Sequence, residues 1–247
     1  MSLESKVNQK VFFLNMDNQS AFVLCQAMLT KHNVEWRDPS QNNSASKNKS
    51  ENSASADDNK SEDGVMIAGE SANVEAFIAE LEAFFGKNVV VSSCLEECAL
   101  KRLQLAHKTI ATAESCTGGL LAYCFTKNAG ASLAFLGGII SYANTIKEQN
   151  LGVNPYTLQN FGAVSHEVVS EMLEGALDLF GADIALATSG IAGPGGGSVK
   201  KPVGMVFIGM QKRGEKPVIE RHLFGGNRVE IQQHSCIKAL EILLKNL

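Results

Sequence analysis

Hydrophobic and polar positions alternate along the first third of the chain in short blocks. Residues 10–15 (KVFFLN) form a strand-prone run, residues 20–32 (SAFVLCQAMLTKH) space apolar side chains as a helix does, and residues 65–69 (VMIAG) read as a strand again. A helix over 73–85 and a strand over 89–92 complete the series. Between them, residues 38–64 (DPSQNNSASKNKSENSASADDNKSEDG) contain no Val, Ile, Leu, Met, Phe, Tyr or Trp. Such a stretch cannot bury enough apolar surface to offset the entropy of ordering it. Each flanking half is too short to fold separately, so the halves are expected to pair. Residues 1–93 then form one small α+β domain with a disordered insertion at about 38–64.

From residue 94 the elements lengthen. The domain boundary is expected at 94–99, ahead of a helix that ends near His107. Residues 109–114 (TIATAE) read as a strand, 117–130 as a helix stopped by Gly130, and 135–142 (FLGGIISY) as a buried strand. Residues 165–180 (SHEVVSEMLEGALDLF) have a Ser N-cap, an apolar stripe from Val168 through Leu173 to Phe180, and a closing Gly181. A strand over 183–189, an antiparallel pair over 203–211 and 218–224, and an amphipathic helix over 228–247 follow. Mostly buried strands interleaved with helices predict an α/β domain over 94–247, built as a mixed sheet in three layers.

Composition narrows the function classes. With 45% hydrophobic and 19% charged residues the chain has material for a packed core. A net charge of −4 and a pI near 5.8 argue against a nucleic-acid partner, whose footprint is a basic surface. No apolar run reaches the roughly 18–20 residues that cross a bilayer, and the first residues lack a signal-peptide pattern, so a cytoplasmic protein without a membrane partner is expected. The six cysteines show no disulfide framework. Cys94 and Cys98 lack a second ligand pair with zinc-like spacing, so no metal or other cofactor is expected.

Three clusters fall at strand ends, where open α/β sheets bind ligands. In AESCTGG, Ser115 sits in the turn, and Thr117, Gly118 and Gly119 bring backbone N–H groups to a helix start, where an anion is favoured. The plain alternative is that Ser115 or Thr117 is only an N-cap. The cluster is neither a G-x-S-x-G elbow nor a P-loop. Glu114 should point away from its neighbour Ser115, which suits support better than catalysis. In SYANTIK a buried strand delivers Tyr142, and Lys147 follows on the next turn or helix. A hydroxyl nucleophile needs a base, which a partly desolvated Lys147, or Tyr142 beside a cation and assisting it, can supply, while a surface lysine and a core-edge tyrosine are the commoner outcome. In TSGIAGPGGG, Ser189 and Gly190 open a loop with five glycines that can lay backbone amides against a substrate, or simply move.

Arg228, one of five arginines, opens the last helix, an unfavourable place for a cation unless an anion is shared. A substrate phosphate or carboxylate would fit, as would a surface salt bridge. None of the five histidines stands in triad order.

These clusters, in this order and spacing, resemble the C-terminal domain of the CinA family, whose stand-alone form is the PncC-type nicotinamide-nucleotide amidohydrolase. The likeness covers about residues 95–247 and rests on TIATAESCTGGLLA, FLGGIISYANTIKEQNLGV, FGAVSHEVVSEMLEGA, TSGIAGPGGG, KPVGMVFIG and FGGNR. It implies hydrolysis of nicotinamide mononucleotide to nicotinate mononucleotide and ammonia, without metal, by a homodimer. It places the nucleophile on Ser115, its tyrosine and lysine on Tyr142 and Lys147, and a later hydroxyl on Ser189; with the clusters read above, the candidate substrate contacts are Thr117, Gly118, Gly119, Asn144, Ser189, Gly190 and Arg228. Ser189 stands where the family has Thr, which removes a methyl that restrains χ1. Gly195 stands where an acidic residue is usual. Residues 65–86 are similar to the KH-like middle domain of full-length CinA, but no basic G-x-x-G clamp is present, so an interaction module is expected. The rival to the amidase is a non-catalytic nucleotide-binding module of the same family.

Overall fold

The computed structural model describes residues 6–14, 16–39 and 64–247, so the insertion expected at about 38–64 lies, but for its ends, outside the described residues. The chain divides into two compact units, Met1–Cys98 and Ala99–Leu247.

The first unit is a small α+β fold. It runs β1 (Lys6–Phe13), α1 (Asn18–His32), β2 (Glu35–Arg37), β3 (Val65–Glu70), α2 (Ser71–Phe85) and β4 (Val89–Val91). The sheet has the order β2-β3-β1-β4 with antiparallel pairs throughout. Val11, Phe13, Cys25, Ile67, Phe77 and Leu81 close its core between sheet and helices. Asp17 caps α1, its carboxylate accepting from the Ser20 N–H at 2.9 Å. Two features exceed the apolar pattern. β1 begins at Lys6, because its polar half pairs through backbone with β3, and β2 is a charged edge strand, EWR, held by the same backbone pairing.

The second unit follows α3 (Leu95–Leu105), which spans the division. Its elements are β5 (Ile110–Glu114), α4 (Leu120–Thr126), β6 (Phe135–Ile140), α5 (Asn144–Leu151), α6 (Pro155–Phe161), α7 (His166–Phe180), β7 (Ile184–Gly190), β8 (Met205–Lys212), β9 (Val218–Leu223) and α8 (Arg228–Asn246). The sheet order is β6-β5-β7-β8-β9; β6, β5 and β7 are parallel, and β8 and β9 are antiparallel. A mixed sheet in three layers results, as the pattern predicts. Gly137 abuts Phe180 of α7, whereas its neighbour Gly138 abuts Thr112 and Ala122 of α4, so these helices cover opposite faces. Val168, Val169, Met172, Leu173, Ala176 and Leu177 of α7 are buried there, and α8 packs with α4 on the other face. Among the described residues no helix is long and apolar enough to cross a membrane.

One element departs from expectation in a way that matters for the site. Helix α4 starts at Leu120, not at residue 117, because Gly118 (φ +62°) and Gly119 (φ +102°) hold the chain outside the right-handed helical region. Short polar helices α5 and α6, which carry little apolar periodicity, fill the connection from β6 to α7.

Candidate active site

The carboxyl ends of β5, β6 and β7 lie side by side, and the turn after β5 is pinned from both neighbours. The Ser115 N–H donates to the Thr188 carbonyl on β7 at 2.9 Å, and the Ser141 N–H after β6 donates to the Glu114 carbonyl at 2.7 Å. Glu114 is 1% exposed. Its Oε2 accepts from Thr117 Oγ1 at 2.7 Å, Gly119 N at 2.9 Å and Leu121 N at 3.1 Å, and its Oε1 from Ala122 N at 2.7 Å. The anion at the start of α4 is therefore the chain's own carboxylate, satisfying N–H groups that a helix start leaves unpaired. Of the three amides expected to face a ligand, that of Gly119 is thus taken by the chain itself. Thr117 is buried, with its hydroxyl shared between Glu114 and Thr188 Oγ1 at 2.7 Å.

Opposite the turn lies Lys147 of α5, 0% exposed. Its Nζ is 3.2 Å from Ser115 Oγ, 2.5 Å from the Ser141 carbonyl and 3.4 Å from the Tyr142 carbonyl. Burial pushes its pKa below the ordinary lysine value. Nζ has all three of these oxygens in donating reach, and on losing a proton it could keep two N–H bonds on the carbonyls and turn its lone pair to the serine hydroxyl. That is the arrangement a general base for Ser115 requires.

Ser115, Cys116, Tyr142 and Lys147 share a cavity of about 260 Å³ with Ala163, Val164, Ser189, Gly190 and residues 191–193, 195, 196 and 228. The structure brings Ser115, Tyr142, Lys147, Ser189, Gly190 and Arg228 together around this one cavity. Thr117, Gly118, Gly119 and the exposed Asn144 do not line it. Tyr142 lies at the mouth, 59% exposed, and its hydroxyl accepts from the Arg228 guanidinium at 2.9 Å. Lys147 meets the backbone carbonyl of this residue, so assistance to the base from the phenol is not what the geometry provides. Arg228 also donates to the Gly193 carbonyl at 2.8 Å. Its place at a helix start is eased by Glu230, which completes a capping box with Asn227. Ser189 donates to the Ala163 carbonyl at 2.7 Å, a bond that fixes its hydroxyl without the missing methyl. Gly195 lines the cavity, and a Cβ there would meet nothing within 4 Å.

Cys116 and the turn at residues 163–164 are wall residues that no sequence signal singled out. The Cys116 thiol, buried beside Ser115, is pushed up to about 12 by desolvation. It is a neutral wall, not a second nucleophile. Among the described residues, no group of three or more His, Cys, Asp or Glu is arranged to hold a metal ion.

Residues 92–247 match the CinA C-terminal domain. A CinA-like protein of Leptospira borgpetersenii is 43% identical over 177 residues, covering 71% of this chain and 42% of the relative. A CinA-like protein of Thermotoga neapolitana is 46% identical over 153 residues, 62% of this chain and 37% of the relative. The chain therefore spans about two fifths of the length of these relatives. Among solved structures, a competence/damage-inducible protein of Agrobacterium tumefaciens superposes with a TM-score of 0.61 at 39% identity, covering 62% of this chain and 94% of that one.

Proposed function

The chain belongs to the CinA family through its C-terminal domain, and from that premise we propose that it is an amidohydrolase acting on nicotinamide mononucleotide. The reading carries over the expectation drawn from the family resemblance, and the observation that supports it most is the buried Lys147 amine 3.2 Å from Ser115 Oγ. Lys147 takes the Ser115 hydroxyl proton as the oxygen attacks the carboxamide carbon. The tetrahedral intermediate collapses when the same proton passes to the departing nitrogen, leaving an ester on Ser115 and free ammonia. Water, deprotonated by Lys147, then attacks the ester and restores the serine as nicotinate mononucleotide leaves. Arg228 suits the nucleotide phosphate. Both of its hydrogen bonds go to neutral oxygens, which a phosphate replaces with charge-assisted contacts.

The test is ammonia release from nicotinamide mononucleotide by the full chain and by Ser115→Ala. Release that disappears in the variant supports the amidase and its nucleophile. Wild-type release in the variant removes Ser115 from the role. Nucleotide binding without release by the unaltered chain replaces the enzyme with a binding module.

A further inference from the structure

The loop between β7 and β8 supplies much of the cavity wall, yet its glycines give it few side chains with which to hold a shape. Its base is closed by backbone, Ile191 N to Met205 O at 2.9 Å and Gly204 N to Ile191 O at 2.8 Å. Its far end is a tight turn, Ser198 N to Lys201 O at 2.8 Å with Lys201 N to Ser198 Oγ at 3.1 Å. From that turn the Lys201 ammonium reaches across to the opposite wall. It donates to the Phe161 carbonyl at 2.5 Å and the Val164 carbonyl at 2.7 Å, 40 and 37 residues away in sequence.

Those carbonyls are the exposed negative end of α6 and a residue of the cavity wall, where a cation is favoured. The other carbonyls of this turn are already satisfied, Gly162 by Ser165 Oγ at 2.8 Å and Ala163 by Ser189 Oγ at 2.7 Å. Apart from its base, the loop has one further tether at Gly193, from Arg228. That tether is the one a substrate anion would engage. Lys201 lines no part of the cavity and is free of that conflict.

We infer that Lys201 is a positioning residue that seats the glycine-rich loop against the 161–164 turn and so sets the shape of the nucleotide pocket. Its link to substrate rests on the amidase reading; the seating of the loop does not. Lys201 acts through the loop and touches no reacting atom, so its loss should alter substrate affinity and leave the chemical step alone.

The experiment compares Lys201→Met and Lys201→Arg with the unaltered full chain in two readouts. The first, independent of activity, is ligand-free hydrogen exchange over residues 193–201 together with the rate of tryptic cleavage after Lys200. Lys201→Met should speed both about ten-fold, the scale of one partly exposed charged hydrogen bond, and Lys201→Arg should restore most of the protection. The second is turnover of nicotinamide mononucleotide, with KM up about ten-fold and kcat within about two-fold. Unchanged exchange and cleavage in Lys201→Met overturns the seating. Faster exchange with kcat lost and KM unmoved overturns the positioning role. If the unaltered chain releases no ammonia, the amidase reading fails while the exchange and cleavage rates still decide the seating.

Discussion

Replacing Glu114 by glutamine separates the shape of this carboxylate from its charge. In the native turn Oε2 accepts three hydrogen bonds, from Thr117, Gly119 and Leu121, and Oε1 accepts two, from the Ala122 N–H at 2.7 Å and from Thr112 Oγ1 at 3.4 Å. A glutamine oxygen in the Oε2 place keeps three acceptor contacts without charge. The amide nitrogen in the Oε1 place then faces the Ala122 N–H donor to donor. Leaving that amide unpaired costs about 1–3 kcal/mol, and the loss of charge assistance weakens the remaining bonds by roughly half. Burying an amide instead of a carboxylate recovers part of this, so the net loss is about 2–4 kcal/mol. For a unit of this size that corresponds to a melting temperature lower by roughly 4–16 °C. All three tyrosines, Tyr123, Tyr142 and Tyr156, lie in the second unit, so near-ultraviolet dichroism at the tyrosine band follows its unfolding in denaturant. Hydrogen exchange at residues 119–122 should rise in parallel, and ammonia release should fall because Ser115 sits in the same turn. A loss below about 0.5 kcal/mol with protection intact at 119–122 would refute the reasoning, since a charged anchor cannot be so cheaply replaced.

Three further outcomes are expected. Lys147 must be neutral to accept a proton, so ammonia release should fall as pH drops, with the midpoint below the ordinary lysine value of about 10.4; a midpoint at or above it removes Lys147 as the base. Between its folded and unfolded pKa values the unfolded chain binds more protons at this residue, so stability should rise with pH across that window, and denaturant titrations of Lys147→Met should lose that rise. Tyr142→Phe removes the hydroxyl that orients Arg228 but keeps the backbone carbonyl that Lys147 meets, so kcat should fall less than about ten-fold while KM rises. A loss as complete as that of Lys147→Met would return the phenol to the chemistry. Gly175 of α7 lies so close to α5 that a Cβ would sit 2.0 Å from the Leu151 carbonyl. Gly175→Ala should therefore cost about 1–3 kcal/mol and displace the helix that carries Lys147, which denaturant midpoints and turnover report together.

The periodicity of α7, with its Ser165 cap and buried Val168 to Leu177 stripe, was readable because one face of a helix has a single way to be buried. The pairing of Ser115 with Lys147 was readable only as an expectation. The residues are 32 apart, and their approach depends on β6 lying beside β5, a neighbour relation that no local pattern encodes. The role of Glu114 was half readable. Strand alternation turns it away from Ser115, but that it folds under its own turn and fills the helix start depends on the positive φ of Gly118 and Gly119. β2 and α6 escaped notice, and α5 was open between a turn and a helix, because backbone pairing or tertiary contact, not apolar spacing, holds short polar segments in place. Lys201 gave no signal at all, since a lysine in a polar loop looks like any solvated charge.

The raised Cys116 thiol also decides which reagents this cavity will admit to covalent chemistry. At neutral pH a thiol pushed that far up by burial is ionised far less often than an ordinary cysteine, which is a few per cent thiolate. Alkylating agents and peroxides react with thiolates, so they should pass over the residue next to Ser115. On the proposed amidase reading, acylating or phosphonylating electrophiles draw instead on Lys147 beside Ser115. Two adjacent side chains that a reagent screen on sequence would score alike are thus chemically opposite, and a serine-directed probe should label this wall without competition from its sulfur.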